Sequence, residues 1–166
     1  MLVDSHCHLN YLEDPDDSIL RATRSGITSM LCVCVNEKTA KAVIELSKRY
    51  ENVYASLGSH PESAEEDLSW LQESEDCSQA IAIGEMGLDY KSKRLEDVRH
   101  TQLQSFEYQM ALAGDLSKPV IIHTREAEDD TIAVLKNFPG SQGVLHCFTE
   151  STRLAEYALS RGFSIS

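Results

Sequence analysis

Ala80-Ile81-Ala82-Ile83-Gly84-Glu85, then an amphipathic segment over about residues 98–113, then Pro119-Val120-Ile121-Ile122-His123 is the stretch that decides the fold. Two short apolar runs flank one helix-length segment, and each run ends in a residue able to bind a metal. Short apolar runs bounded by turn signals read as buried strands. The same unit recurs in both directions. Upstream lie Leu2-Val3-Asp4-Ser5-His6, a helix to about Ser25 opened by Asp14-Pro15, and a strand over 27–33 after Gly26. Asn36 then caps a helix to about Tyr50, Val53-Tyr54-Ala55-Ser56-Leu57 forms a third strand, and a helix covers 67–73. Downstream lie a helix over 129–137, the strand Gly143-Val144-Leu145, a helix over 152–160 and the strand Phe163-Ser164-Ile165. Strands alternating with helices predict a parallel sheet with crossover helices. Seven such strands without a Gly-rich nucleotide loop favour a TIM-type (β/α)8 barrel over a doubly wound sheet. Such barrels typically need about 250 residues, so residues 1–166 are expected to form a single partial TIM-barrel domain that lacks the eighth strand.

Bulk properties narrow the class. The chain has 166 residues, 42% hydrophobic and 25% charged, which suits one globular domain. No apolar run approaches the ~20 residues of a membrane span. The start, Met1-Leu2-Val3-Asp4, lacks the basic and apolar regions of a signal peptide, so a cytoplasmic location is expected. Cys7, Cys32, Cys34, Cys77 and Cys147 contain no CxxC pair, which argues against a structural zinc site. Cys32 and Cys34 alternate in an apolar run and read as small buried hydrophobes. The net charge of −12 argues against nucleic-acid binding by a broad basic surface. It leaves room for a nuclease, because bound divalent ions can supply positive charge where one phosphate must sit.

The chemistry gathers at the strand ends. His6 and His8 close the first strand, Glu85 follows the fourth, His123 the fifth and His146 the sixth. In a parallel barrel these positions converge on one mouth, where active sites are built. Alternate residues of a strand share a face, so both imidazoles of His6-Cys7-His8 can grip one ion. Imidazole with carboxylate suits Zn²⁺, Mn²⁺ or Fe²⁺, whereas Mg²⁺ would draw more oxygen ligands from water and phosphate. Glu85 is the one carboxylate of the set, and a carboxylate can bridge two ions. His60, Asp89, Tyr90 and Arg125 form a second rank near the mouth, Arg125 as a possible phosphate clamp. His100 reads as a solvated histidine, Trp70 as core, and the acidic run 62–67 as a solvated face.

These motifs resemble a known family. Val3-Asp4-Ser5-His6-Cys7-His8-Leu9, Gly58-Ser59-His60-Pro61, Ile83-Gly84-Glu85-Met86-Gly87-Leu88-Asp89-Tyr90, Pro119-Val120-Ile121-Ile122-His123-Thr124-Arg125-Glu126-Ala127 and Gly143-Val144-Leu145-His146-Cys147-Phe148 look like successive motifs of the TatD-type DNases, which belong to the amidohydrolase-like TIM-barrel hydrolases. The resemblance implies a metal-dependent deoxyribonuclease, commonly Mg²⁺-stimulated, that trims DNA from the 3′ end. It implies His6 and His8 as ligands of one ion, Glu85 as the catalytic bridging ligand, and His123 and His146 as ligands of the other. It places His60 and Arg125 near the substrate phosphate. Ser59 stands where a small aliphatic residue is usual, and Glu150 where glycine is usual. The family's last ligand, an aspartate on the eighth strand, has no counterpart in these 166 residues.

Three functional readings follow. The first is hydrolysis of DNA phosphodiesters with two divalent ions (Mg²⁺, Mn²⁺ or Zn²⁺) as cofactors and DNA as the partner. The second is a metal-dependent amidohydrolase acting on a small molecule, a branch that commonly uses a carboxylated lysine where this chain has Glu85. The third is an inactive fragment that acts only through association, since an open barrel edge exposes strand backbone and favours self-association.

Overall fold

The computed structural model describes residues 2–73, 76–91 and 95–166. Seven strands form one sheet in chain order: β1 (Leu2–Cys7), β2 (Ile27–Val33), β3 (Val53–Leu57), β4 (Ala82–Asp89), β5 (Val120–Arg125), β6 (Gly143–His146) and β7 (Ser164–Ile165). Every neighbouring pair is parallel. Parallel neighbours require crossovers. These carry α1 (Pro15–Arg24), α2 (Glu37–Arg49), α3 (Ser69–Glu73), α4 (Asp76–Gln79), α5 (Leu95–Asp115), α6 (Glu128–Asn137) and α7 (Thr152–Ser160). The result is the expected α/β architecture, a seven-stranded arc of a TIM-type barrel with β1 and β7 as its edges. Because all strands run the same way, their C-terminal ends share one rim. Among the described residues, no helix is long and apolar enough to cross a membrane.

Local chemistry explains the boundaries. Asp14 accepts the Asp17 N–H at 2.8 Å, and Pro15 occupies the first turn of α1. Asn36 and Thr39 form a reciprocal capping box at α2. The apolar positions predicted for that helix, Val43, Ile44 and Leu46, are buried. All eight residues of β4 are buried, as fits a central parallel strand covered on both faces. Cys32 and Cys34 are fully buried and all five cysteines are free thiols. Trp70 packs against the core, whereas His100 is exposed on α5.

Three boundaries differ from the sequence expectation. β4 does not stop at Gly84 but runs to Asp89, because β5 pairs with it as far as Asp89 opposite Arg125. Glu85 therefore lies inside a strand. The helix expected over 67–73 begins two residues later, as α3. Short 3₁₀ turns follow both His8 (Leu9–Tyr11) and His60 (Pro61–Ser63), where alternating or turn-like sequence gave no helical period.

Two glycines bring the strands carrying the rim into close approach. A Cβ on Gly58 would lie 2.5 Å from the Gly84 Cα, and a Cβ on Gly84 would lie 2.5 Å from the Ile121 carbonyl oxygen. Gly84 also holds φ +136°, which side chains rarely adopt. Gly114, in the last turn of α5, has nothing within 4 Å of an added methyl. Thermal unfolding should separate the two situations. Gly58→Ala is expected to destabilise the chain by ~1–3 kcal/mol through overpacking. Gly114→Ala should stabilise it by roughly 0.5–1 kcal/mol through helix propensity.

Candidate metal centre

The rim gathers five imidazoles from four strand ends around one carboxylate. Glu85 is only 4% exposed. Its Oε2 lies 3.3 Å from His6 Nε2, and its Oε1 lies 3.3 Å from His123 Nδ1 and 4.0 Å from His60 Nε2. Its backbone N–H donates to the Cys34 carbonyl at 3.1 Å, which ties β4 to the end of β2. Burial pushes the Glu85 carboxyl up, but hydrogen bonds from His123 and His6 outweigh it and hold the group well below the usual carboxylate range. Glu85 is thus ionised at neutral pH.

Two sets of possible ligand atoms converge, each within 4.8 Å: His6, His8 and Glu85 on one side, and His60, Glu85 and His123 on the other. On the first side, His6 Nε2 and His8 Nε2 stand 3.3 Å apart. Two nitrogens each ~2.1 Å from one tetrahedral ion would stand ~3.4 Å apart, so the spacing fits. His8 Nδ1 lies 3.1 Å from the Val33 carbonyl, which can only accept, so Nδ1 carries the hydrogen and Nε2 of the neutral ring presents a lone pair. His6 Nδ1 is buried with no hydrogen-bond partner among the described residues.

The second side is asymmetric. His123 Nε2 lies 3.1 Å from Asp89 Oδ2, and Asp89 is only 3% exposed. Burial pulls the His123 pKa down, but Glu85 and Asp89 together raise it. The charge drawn to Nδ1 by this pairing stands where a cation's charge would stand. His60 behaves differently. Its Nδ1 accepts the Glu62 backbone N–H at 3.2 Å, so the neutral ring carries its hydrogen on Nε2, facing Glu85. Burial lowers the His60 pKa, which keeps that neutral form. His60 therefore offers the centre a donor rather than a lone pair, although its position alone would admit it as a ligand.

His146 is the register partner of His123 across β5 and β6, yet its ring lies flat on His6, with centroids 3.3 Å apart and planes 6° apart. It belongs to neither convergent set. Burial and neighbouring His6 pull its pKa down to about 4, so it is neutral at pH 7. Arg125 is exposed at the end of β5, and its guanidinium has no partner among the described residues. Tyr90 donates to Asp130 Oδ2 at 2.7 Å and Arg99 grips the same carboxylate through two 2.7 Å bonds. Tyr90 is thus committed to α6 rather than to the centre. Glu150 accepts the Ala127 N–H at 3.1 Å and so serves the start of α6.

The sequence reading ranked Asp89 second and missed Gln102 and Gln109, which hold the backbone of Asp89 and Ser59. Their signal was available as two glutamines seven residues apart on the face of α5 that also carries Phe106 and Met110.

The fold and this donor set define a metal-dependent hydrolase of the α/β-barrel class. The family described as TatD related DNase matches residues 3–166, and the chain belongs to it. YabD of Bacillus subtilis, named an uncharacterized metal-dependent hydrolase, is 36% identical over 177 residues, covering 100% of this chain and 68% of that protein. A protein of Erwinia amylovora named 3′-5′ ssDNA/RNA exonuclease TatD is 33% identical over 162 residues, covering 93% of this chain and 62% of that protein. The crystal structure of YjjV, a TatD homologue of Escherichia coli K12, superposes with a TM-score of 0.87 at 26% identity, covering 99% of this chain and 66% of that one. The chain thus spans about two thirds of the length of the relatives it matches.

Asp89→Asn should keep the fold while weakening metal binding on the His123 side by about 10–100-fold, the usual cost of losing a carboxylate behind a histidine ligand. Calorimetric titration with Mn²⁺ reads this. The same variant should release fewer protons on binding, because less holds the proton on His123.

Proposed function

We propose that this chain carries the metal-binding part of a phosphodiesterase that hydrolyses DNA, with single-stranded 3′ ends as the first substrate to test. The observation that carries the reading is the placement of the two Glu85 oxygens, one 3.3 Å from His6 Nε2 and the other 3.3 Å from His123 Nδ1. That placement suits a carboxylate shared between two ions. His6 and His8 would hold one and His123 the other, which His146 could join only by turning its ring off His6. Divalent ions held there supply Lewis-acid charge that polarises a phosphodiester and lowers the pKa of an attacking water. Zn²⁺, Mn²⁺ and Mg²⁺ all remain compatible with this mixed donor set.

The chain's own residues have distinct tasks in this reading. Ionised Glu85 offers its lone pairs directly and His8 presents Nε2, whereas His123 must first lose the proton that Glu85 and Asp89 hold on it. The His60 Nε2–H is aimed into the centre and can donate to a phosphate oxygen. Arg125, free at the rim, can clamp the same phosphate through paired hydrogen bonds. The naming of the Erwinia relative as an exonuclease on ssDNA and RNA supports the substrate class.

The test is hydrolysis of a labelled single-stranded oligonucleotide beside small-molecule amides, with Mg²⁺, Mn²⁺ or Zn²⁺. Metal-dependent shortening of the oligonucleotide, abolished by chelator, is expected. Glu85→Ala should lose that activity and half the metal stoichiometry or more while remaining folded by circular dichroism. Preferential amide hydrolysis, or oligonucleotide cleavage that survives Glu85→Ala, would overturn the reading.

A further inference from the structure

Two side chains inside α5 make the same unusual contact. Gln109 is fully buried and Gln102 is 3% exposed. The Ser59 N–H donates to Gln109 Oε1 at 2.8 Å, while Gln109 Nε2 donates to the Ser59 carbonyl at 3.0 Å and to Ser105 Oγ at 3.1 Å. The Asp89 N–H donates to Gln102 Oε1 at 2.9 Å, while Gln102 Nε2 donates to the Asp89 carbonyl at 3.1 Å and the Pro61 carbonyl at 3.3 Å. Each carboxamide thus pairs with both backbone groups of one residue, as a neighbouring strand would.

The sheet explains the need. β3 pairs with β4 only at Ser56 opposite Ala82 and Leu57 opposite Ile83, whereas β4 continues beside β5 to Asp89. Beyond Leu57 the chain leaves the sheet, and buried backbone groups on that side lose their ladder. A buried amide group left unpaired keeps its full desolvation cost with nothing to offset it, so a substitute is required. Ordinary filling could have come from a loop. Here one rigid helix supplies it at two points, seven residues apart on one face.

The two points bracket the centre. Gln109 fixes the residue before His60, and Gln102 fixes the residue after it together with Asp89, which faces His123. We infer that Gln102 and Gln109 are positioning residues that set the His60 donor and the His123–Asp89 pair against Glu85, so that α5 governs the geometry of one half of the site. Gln109 acts on His60 alone, and Gln102 acts on both His60 and His123.

The experiment compares Gln109→Met and Gln102→Met, which keep length and remove the hydrogen bonds, with the unaltered chain. In the metal-free protein, imidazole ¹⁵N NMR should show His60 as the Nε2–H form and His8 as the Nδ1–H form. Gln109→Met is expected to mix the His60 tautomers and leave His8 and His123 unchanged. Gln102→Met should disturb His60 and His123 together. An unchanged His60 spectrum in Gln109→Met overturns the inference. A second arm rests on the phosphodiesterase reading. Gln109→Met should lower kcat/KM for the oligonucleotide by about 10-fold, yet by under about 2-fold in a His60→Ala background, the non-additivity that marks a shared contact. Equal losses in both backgrounds overturn the inference, because a purely structural residue would give them. Should Gln109→Met fail to fold, Ser105→Ala, which removes one bond from the same amide, is expected to shift the same His60 signals, and their constancy would overturn the proposal. Absence of any hydrolysis in the unaltered chain defeats the activity reading alone and leaves the NMR arm decisive.

Discussion

The buried Glu85 carboxylate is the constraint on which the rest of the site depends. A carboxylate taken out of water is costly unless charge and hydrogen bonds compensate it. The compensating groups come from opposite ends of the chain, His6 on β1 and His123 on β5, so neither can be supplied by local structure. Only the parallel order of the strands brings them together. Gly58 and Gly84 allow β3, β4 and β5 to approach closely enough, and the Cys34 carbonyl holds the Glu85 backbone in register. A change in that packing would move the carboxylate away from at least one imidazole and leave a charge without its partner.

The support is unequal on the two sides of Glu85. His123 sits on an interior strand with neighbours on both edges, and Asp89 and Gln102 stand behind it. His6 and His8 sit on β1, which pairs only with β2 and does so with irregular register on both sides of Val3 and Asp4. Leu2 and Val3 on this strand are more than half exposed, at 61% and 56%. Edge strands with few buried contacts open at lower free energy than central ones. The His123 half is therefore the more preorganised part of the centre, and the His6–His8 half is the part that cation binding would order.

Much of this was legible in the sequence because it rests on short periodicities. The strand of seven residues beginning at Ile27, the helix capped by Asn36 and the helix over 152–160 follow directly from apolar runs and capping residues. The convergence of His6, His8, Glu85 and His123 follows from their place at strand ends in a parallel sheet. What escaped was set by contacts between distant segments. The extension of β4 to Asp89 depends on where β5 happens to stop pairing. The stacking of His146 on His6 depends on ring rotation at an edge. The inward face of Gln102 and Gln109 runs against the rule that polar residues on an amphipathic helix face water, and only the departure of β3 from the sheet gives it a reason.

Charge placement finally bears on how a polyanion could approach. In a parallel α/β fold, each helix begins near the rim where the preceding strand ends. The first turns here carry Asp16 and Asp17 on α1, Glu37 on α2, and Glu128, Asp129 and Asp130 on α6. These acids suit helix N-termini, and several are neutralised in place, as by Arg21 on Asp17 and Arg99 on Asp130. The chain as a whole nonetheless carries a net charge of −12. Such a charge draws cations and repels a bare phosphate backbone within roughly a Debye length, about 8 Å at physiological salt, beyond which salt screens it. On the phosphodiesterase reading, cation loading must therefore precede substrate binding, with Arg125 and the His60 N–H acting only at contact distance.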